Sequence, residues 1–563
     1  MKKKYVRWTL WTIASPFILF IILCILIYLP PIQNFLVDKA AVYASEATGM
    51  NISVGRISLS FPLNLVVTNV DAASLHNDTL LSVRRLQVNV QLLPLLKKQV
   101  EVDGISLQGA TVNSNDLIHG MKLNGTLGEL FISSHGVALD PETAIVNKVL
   151  LKDTDLSLCL NDTAAADTAA SDTTYWKIIL QDIDLQNVSF ALDMPLDSLS
   201  LAASLDNAIL RDGLIDLHKS AYSLQTFRIE NGRVRYDNGK PLAADSLSSG
   251  LDPSHIALTD IGVKLDSLYY GGRNMKAIIS QFVLKERSGV EIVSATGRMV
   301  SNDKVLRVPS LKLETRDSYL ELNAAMDWNA LDFKGEGLMS ARLMADIGKP
   351  DVVRFMGRMD EKFVRQYPSE PLRIRTGIDG DLNKLKLTTL TAELPGALGL
   401  FARGELTHLT DSLLRGGDIT LEAETKDLKF VSTLAEGIEI PYGTRLEGKF
   451  TMAGAKMGTD LLLMQPEAQA VAAADTIPIT VYNDSISVAD DFKMERAARL
   501  FAKYDLSRDR YEADLAVNHF DLHQFMPADS LYTLSTRLKV EGEGFDFFSP
   551  RTYFNAEGGI DRF

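Results

Sequence analysis

Residues Leu86-Gln87-Val88-Asn89-Val90-Gln91-Leu92 alternate apolar and polar side chains without a break. Successive strand residues point to opposite faces, so this segment reads as a β-strand with one apolar and one wet face. The same period of two recurs at Leu156/Leu158/Leu160, Val188/Phe190/Leu192, Leu311/Leu313, Leu320/Leu322, Ile419/Leu421/Ala423 and Tyr511/Ala513/Leu515/Val517. Each run is short and bounded by Asn, Asp, Gly or Pro, the composition of strand ends and turns. Arg510 to Val517 reads as the hairpin partner of Ala502 to Leu506 across Ser507-Arg508-Asp509. The expectation is a mainly β chain.

Few segments carry the helical period. Ile32 to Ala47 places Ile32, Phe35, Leu36, Tyr43 and Ala47 near one face, with Gly49 to close it. Asp351 to Arg365 carries Val352, Met356, Met359 and Phe363 as a stripe, and Phe492 to Leu500 is a weaker candidate. One strand plus turn per ~12–14 residues gives about 30 to 40 strands. Two short helices cannot cover that much apolar sheet. The sheet must close on itself, stack as a sandwich, or keep an open apolar channel. Asn161 to Thr174 is a low-complexity polar loop or linker, and residues 465–478 are similar.

Ahead of the strands lies an anchor. Lys2, Lys3, Lys4 and Arg7 precede Trp11 to Leu29, a run with no formal charge, which Pro30-Pro31 ends. About 20 apolar residues cross a ~30 Å hydrocarbon core. The positive-inside bias keeps residues 1–10 cytoplasmic and exports the rest. Trp11, Phe17, Phe20, Leu23, Leu26 and Leu29 are the expected membrane residues, in a span of 11–30 followed by a helix over 31–49. A cleaved signal peptide is the rival reading. Its apolar region is usually shorter, and Pro30-Pro31-Ile32-Gln33 makes a poor cleavage site.

The net charge of −14 argues against nucleic acid as a partner. Cys24 lies in the membrane run and Cys159 stands alone, so packing and sheet hydrogen bonds must carry stability. Chemistry-bearing patterns are sparse. His519 and His523, with Asp521 between, could ligate a metal, but no Glu follows His519 as the HExxH pattern needs. Asp153/Asp155 and Asp182/Asp184 have the spacing of a strand's solvent face. Phosphate loops, a nucleophile elbow and a Cys–His pair are absent. The chain reads as a non-enzyme without cofactor.

An internal echo points to repetition. Asp427-Leu428-Lys429-Phe430 leads to Thr444-Arg445-Leu446, and Asp521-Leu522 with Phe525-Met526-Pro527 leads to Thr536-Arg537-Leu538. Both read as strand end, short connection, then a strand opening on Thr-Arg-Leu, as in a repeat array.

With these features the sequence resembles the AsmA-like family, specifically the N-terminal portion of its TamB-type members. The resemblance rests on the anchor, Pro31-Ile32-Gln33-Asn34-Phe35-Leu36-Val37, the Tyr43 to Gly49 helix end, and Asn51-Ile52-Ser53-Val54-Gly55-Arg56-Ile57. Val102-Asp103-Gly104-Ile105-Ser106-Leu107, Gly380-Asp381-Leu382 through Gly404-Glu405-Leu406, and Phe525-Met526-Pro527 continue it. It implies one inner-membrane anchor and an elongated, taco-like β-groove over 50–563, a bridge for phospholipids across the periplasm, monomeric in the groove. Such members are longer and meet an outer-membrane barrel of the BamA type, so promotion of outer-membrane protein assembly is the alternative.

The expected groove lining is Leu86, Val88, Val90, Val188, Phe190, Leu192, Leu311, Leu313, Leu320, Leu322, Tyr511, Ala513, Leu515 and Val517. The same alternation fits a dry core between two sheets. An exported glycan-binding stack would need exposed aromatic platforms, and aromatics are only 8% of the chain.

Overall fold

The computed structural model describes residues 39, 41–42, 45, 50–60, 64–74, 79–90, 102–114, 121–138, 142–161, 175–239, 250–332, 336–357, 359–434, 438–466, 479–482, 485–488, 494–527, 532–545 and 552–562. The expected anchor, the loop over 162–174 and most of the helix over 31–49 lie outside them; Lys39, Ala41, Val42 and Ser45 are helical. Among the described residues no helix is long and apolar enough to cross a membrane. The chain is mainly β. Among the described residues twenty-six strands take part in sheet ladders, two more form a separate hairpin, and the chain divides into two compact units.

The first unit holds β1 (Asn51–Ser60), β2 (Asn64–Ala73), β3 (Thr79–Val90), β4 (Val102–Asn113), β5 (Met121–Ala138) and β6 (Thr143–Leu160). It continues through β7 (Lys177–Met194), β8 (Leu199–Asp216), β9 (Ala221–Leu224), β10 (Thr226–Asp237) and β11 (His255–Gly271). Neighbours are antiparallel, except that β6 and β7 run parallel over their whole length. With β12 (Asn274–Glu286), 28 strands are found among the described residues, β5 to β8 being the longest.

Strands β2, β4, β6, β7, β10 and β11 share a crease. Asn69, Gly109, Asp153, Asn187, Asn231 and Asp260 have φ between 49° and 62°, the left-handed region that Asn, Asp and Gly tolerate best. The ladders skip the same level: Thr68 pairs Arg85 and Val70 pairs Val83, and Lys152 pairs Gln186 and Thr154 pairs Val188. Apolar spacing slips there from two to three, as Val67 to Val70, Leu107 to Ala110, Leu127 to Leu130, and Leu185 to Val188. A one-residue slip would put the second half's apolar residues on the other face; both strands skip one residue at the same level, so the register is kept and the face is restored. At the crease the Asn187 amide donates to Asp153 Oδ1 over 2.9 Å, and Asn231 donates to Asp206.

The second unit contains β13 (Glu291–Ser301), β14 (Val305–Thr315), β15 (Tyr319–Asp327), β16 (Met339–Ile347), α1 (Lys349–Met356), α2 (Glu361–Gln366), β17 (Leu372–Gly380), β18 (Lys384–Leu394), β19 (Leu398–Thr407) and β20 (Gly416–Thr425). Then come β21 (Arg445–Ala453), β22 (Lys456–Pro466), the hairpin β23 (Ile479–Tyr482) and β24 (Ser485–Val488), β25 (Met494–Asp505), β26 (Arg510–Asp521), β27 (Thr533–Glu543) and β28 (Tyr553–Arg562). Their antiparallel order is sequential, with β22 pairing directly to β25.

The helix expected over 351–365 is two helices. Gly357, at φ 77°, ends α1, and Asp360 starts α2 by accepting the Lys362 N–H at 2.7 Å. Of the helix expected over Phe492 to Leu500, the described part is not helical: Met494 to Asp505 is a strand held between β22 and β26. Pairing on both edges outweighs the helix preference of its Glu, Arg and Ala residues. The hairpin at Ser507-Arg508-Asp509 forms, with Asp505 opposite Arg510.

The echo is a four-strand module with a helical connector. Asp360, Asp427 and Asp521 each accept the N–H two residues on, at 2.7, 3.1 and 3.1 Å, and open α2 and the 3-10 turns near Lys429–Thr433 and Leu522–Gln524. The step from Asp427 to Asp521 is longer than the step from Asp360 to Asp427, mostly because residues 467–493 separate β22 from β25 where a short turn links β18 to β19. The modules are β13–β16, β17–β20 and β21, β22, β25, β26. The two Thr-Arg-Leu triplets are not equivalent: Thr444 precedes β21, whereas Thr536 lies inside β27.

The principal core cluster sits at these connectors rather than over the sheet. Phe363, Tyr367 and Phe430 pack ring on ring at 5.1–5.6 Å with Leu394, Ala397 and Leu428. Asp351, 1% exposed in α1, accepts from Ser318 Oγ at 2.6 Å, from Thr315 Oγ1 and from Arg354 at 3.0 Å, pinning that helix to the β14–β15 turn. A buried carboxylate is tolerable only with such partners.

Candidate functional site

Register turns the alternation of single strands into lanes that cross the sheet. In the second unit one lane runs Leu311, Leu322, Leu343, Thr376, Leu390, Ala402, Leu421, Gly448, Leu461, Leu500, Leu515, Leu538, Gly558. Three neighbouring lanes run from Leu313 to Ile560, Val308 to Ala556 and Leu306 to Phe554. None of the positions in these four lanes, across thirteen strands, carries a charged side chain. On the other face, the lane from Lys312 through Glu321, Arg375, Glu422, Glu447, Arg499 and Arg537 holds seven charges in thirteen positions.

The first unit repeats this arrangement on either side of its crease. Val67, Leu86, Leu107, Leu130, Leu151, Leu185, Ala208, Ile229 and Val263 form one lane, and Leu65 to Leu265 form the next. Beyond the crease, Ala72, Leu81, Val112, Gly125, Leu156, Phe190, Ala203, Val234 and Leu258 make another.

What covers a lane decides whether it is core. No leucine of the Leu311–Gly558 lane is buried, and Leu538 is 37% exposed. In the first unit Ile105 and Phe190 are each 37% exposed. Only small or crease-adjacent members such as Val83, Thr154 and Ala208 fall below 6%. A sandwich core would bury its Leu and Phe outright. These faces are apolar, continuous across strands and half open.

The expected lining residues take definite places. Leu86, Val88, Val188, Phe190 and Leu192 stand in lanes of the first unit. Leu311, Leu313, Leu320, Leu322, Tyr511, Ala513, Leu515 and Val517 stand in the four lanes of the second. Val90, at the end of β3, pairs with Val102. The unforeseen members are the Met and Gly positions, such as Met326, Met339, Met457 and Gly448. Gly448 takes a lane place because Leu461 stands opposite and reaches within 3.0 Å of where its Cβ would be.

The polar candidates are engaged elsewhere. His519 lies in the left-handed region at the end of β26 and its Nδ1 meets Asn518 Oδ1 at 2.8 Å, while His523 sits in the next turn and stacks on Tyr532. The bulge and the turn separate the rings that an unbroken strand would put on one side. Among the described residues no group of three or more His, Cys, Asp or Glu is placed to hold a metal. Ser189 donates to Asp155 at 2.9 Å, and Arg211 pairs Asp182 and, at 2.9 Å, Asp184.

Shifted pKa values are few. A hydrogen bond from Arg499 holds Asp460 below its ordinary value. Burial raises Glu424 against the pull of Arg445 and Lys426. Asp460, Arg499, Glu447 and Lys449 line a hollow of about 500 Å³ on the charged face, where both signs of charge meet.

Compared with known proteins, the chain matches no family model, and no curated protein matches it significantly.

Proposed function

We propose that this chain is a non-enzymatic, membrane-anchored lipid conduit of the AsmA-like kind, carrying phospholipids along its apolar lanes between the inner and outer membranes of a bacterial envelope. One observation carries the reading: four adjacent lanes without a charge, continuous over thirteen strands, whose leucines stay half exposed. Each acyl CH₂ brought into water costs about 0.8 kcal/mol, so a two-chain lipid faces a barrier well above ~10 kcal/mol in crossing an aqueous gap. An unbroken apolar surface removes most of that barrier and needs no catalytic group. The charged face keeps the sheet soluble while its other side stays open to hydrocarbon.

The anchor over 11–30 places the transport surface in the periplasm in this reading, with the inner membrane at one end and an outer-membrane partner, of the BamA barrel type, at the other.

Adjacent leucines of β22 give a matched test. Leu461 is a lane residue and Leu462 belongs to the charged face. In cells, Leu461→Asp should abolish crosslinking of a photoactivatable phospholipid to strands beyond β22, and Leu462→Asp should leave it near wild type. Equal behaviour of the two variants would remove the basis of the conduit.

A further inference from the structure

The apolar face of the first unit crosses a second crease before its longest strands end. Pairing again skips one residue on both sides: Lys148 pairs Asp182 and Val146 pairs Leu180, then Asp182 pairs Arg211 and Leu180 pairs Gly213. Asp212 is left-handed at this level, and the Asn147 amide donates to Gln181 Oε1 over 3.1 Å. Apolar spacing is three here too, from Val146 to Val149 and from Leu180 to Ile183. The face is kept: Leu210 Cδ2 and Leu180 Cβ lie within 3.3 Å of where a Gly213 Cβ would be.

Past this crease the last rung on the lane face is Ala144, Ile178, Ile215, Tyr222 and Tyr270, paired in that order through β6, β7, β8, β9 and β11. Ile178 and Ile215 are half-buried, but Tyr222 and Tyr270 are 41% and 46% exposed and stack at 6.2 Å. Further out, the N–H of the exposed Leu217 donates to the Trp176 carbonyl at 3.1 Å, and the exposed Tyr175 meets the His218 ring edge-on at 5.3 Å. Residues 175–177, 217–222 and 269–272 form this rim. They hold Lys177 and Lys219, both exposed, and no acid or side-chain amide. The two neighbouring carboxylates are turned to backbone: Glu142 Oε2 accepts the Tyr175 N–H and the buried Asp216 accepts the Lys219 N–H, each at 3.0 Å.

Tyrosine and tryptophan favour the zone between hydrocarbon and water, where the ring is covered and its polar end stays wet. Lysines near that zone are drawn to anionic headgroups. A sugar would need acceptors for its hydroxyls beside the rings, and the rim segments carry no carboxylate or amide. We propose that this rim is a membrane-contact surface: Trp176, Leu217, Tyr222 and Tyr270 enter the interfacial zone of an anionic phospholipid bilayer, and Lys177 and Lys219 hold its headgroups. The inference rests on the conduit reading for its purpose, marking where lipid passes between a bilayer and the lanes.

The test holds the full chain in phosphatidylcholine nanodiscs and floats it with vesicles on a density gradient. It should float with vesicles of phosphatidylglycerol and phosphatidylcholine in equal parts and stay behind with pure phosphatidylcholine. Tyr222→Ser with Tyr270→Ser should cut flotation about tenfold, because binding follows the apolar area buried. Lys219→Glu, at an exposed turn position, should cut it about fivefold and keeps the test decisive if the tyrosine pair does not fold. Unchanged amide protection in β10 shows that a variant is folded. Leu130→Asp, which puts a charge in a lane, should float like wild type, so the conduit and the membrane contact fail separately. Equal flotation of wild type and both rim variants, equal flotation with neutral vesicles, or rim-dependent capture by insoluble cell-wall glycan in place of vesicles would each overturn the proposal.

Discussion

The two units make the same kind of surface by different means. The first contains the longest strands, β5 to β8, and its β2, β4, β6, β7, β10 and β11 share a crease at an Asn, Asp or Gly in the left-handed region. The second mostly uses shorter strands, such as β15, β16, β17 and β21, and rims the sheet with Asp-capped helical connectors once per module. In β15, β16, β17, β19 and β20 the apolar alternation never slips. A lane can therefore be kept on one face by strict period two, by a bulge at the slip, as in β14 and β18, or by a crease that paired strands share with their register kept. The difference predicts that backbone substitutions hurt the first unit and packing substitutions hurt the second.

Charge in a lane should have the largest effect, and the same effect in both units. Leu130→Asp in the first and Leu500→Asp in the second should each cut lipid photocrosslinking beyond the altered strand by at least tenfold. Loss in only one unit would show that the two surfaces do not do the same work.

Phe363→Ala comes next. Removing a buried ring from the connector cluster should cost about 3–5 kcal/mol. Hydrogen exchange should report faster opening at Leu394, Ala397 and Phe430, which share the cluster, and unchanged protection in β2 to β8. Spread of the effect into those strands would merge the two units into one cooperative block.

At the crease, Asn187→Val forces a β-branched residue to φ 52° and should cost about 1–2 kcal/mol, whereas Asn187→Gly should be nearly neutral. Valine at Thr420, an ordinary strand position of the second unit, should cost less. Thermal unfolding of the three variants tests the contrast, and equal losses would deny the crease its backbone origin.

The smallest effect concerns Glu424, which belongs to the second unit alone. Burial raises its pKa above the ordinary 4.5, so the folded state binds its proton more tightly than the unfolded state does. Its contribution is unfavourable at neutral pH and becomes less so as pH falls through the raised value; below 4.5 both states are protonated. Glu424→Gln should raise stability at pH 7 and flatten this part of the pH profile. An unchanged slope in denaturant melts between pH 7 and 4.5 would contradict the assignment.

Much of the fold was legible because burial on one face writes itself into a strand as alternation. Leu86, Val88, Leu311, Leu322, Leu515 and Val517 could be assigned to an apolar face on that ground alone. The crease was written too, as the three-residue step from Leu185 to Val188 across Asn187, but one slipped strand looks like noise. It becomes a signal when strand after strand slips at a neighbouring level, and that alignment exists only in the register. β25 misled for another reason: Glu495, Arg496, Ala497, Ala498, Arg499 and Leu500 favour a helix locally, and the two flanking strands override them. The parallel pairing of β6 and β7 leaves no local mark, because a strand's own alternation does not record its neighbour's direction.

Openness of the lanes to hydrocarbon is the property to measure. A photoreactive amino acid placed singly at each position from Met457 to Met464 in β22, in cells carrying tail-labelled phospholipid, reads it directly. The account predicts labelling with period two, strong at Met457, Thr459, Leu461 and Leu463 and weak at Gly458, Asp460, Leu462 and Met464. Uniform labelling, or none at the four lane positions in a folded protein, would contradict it.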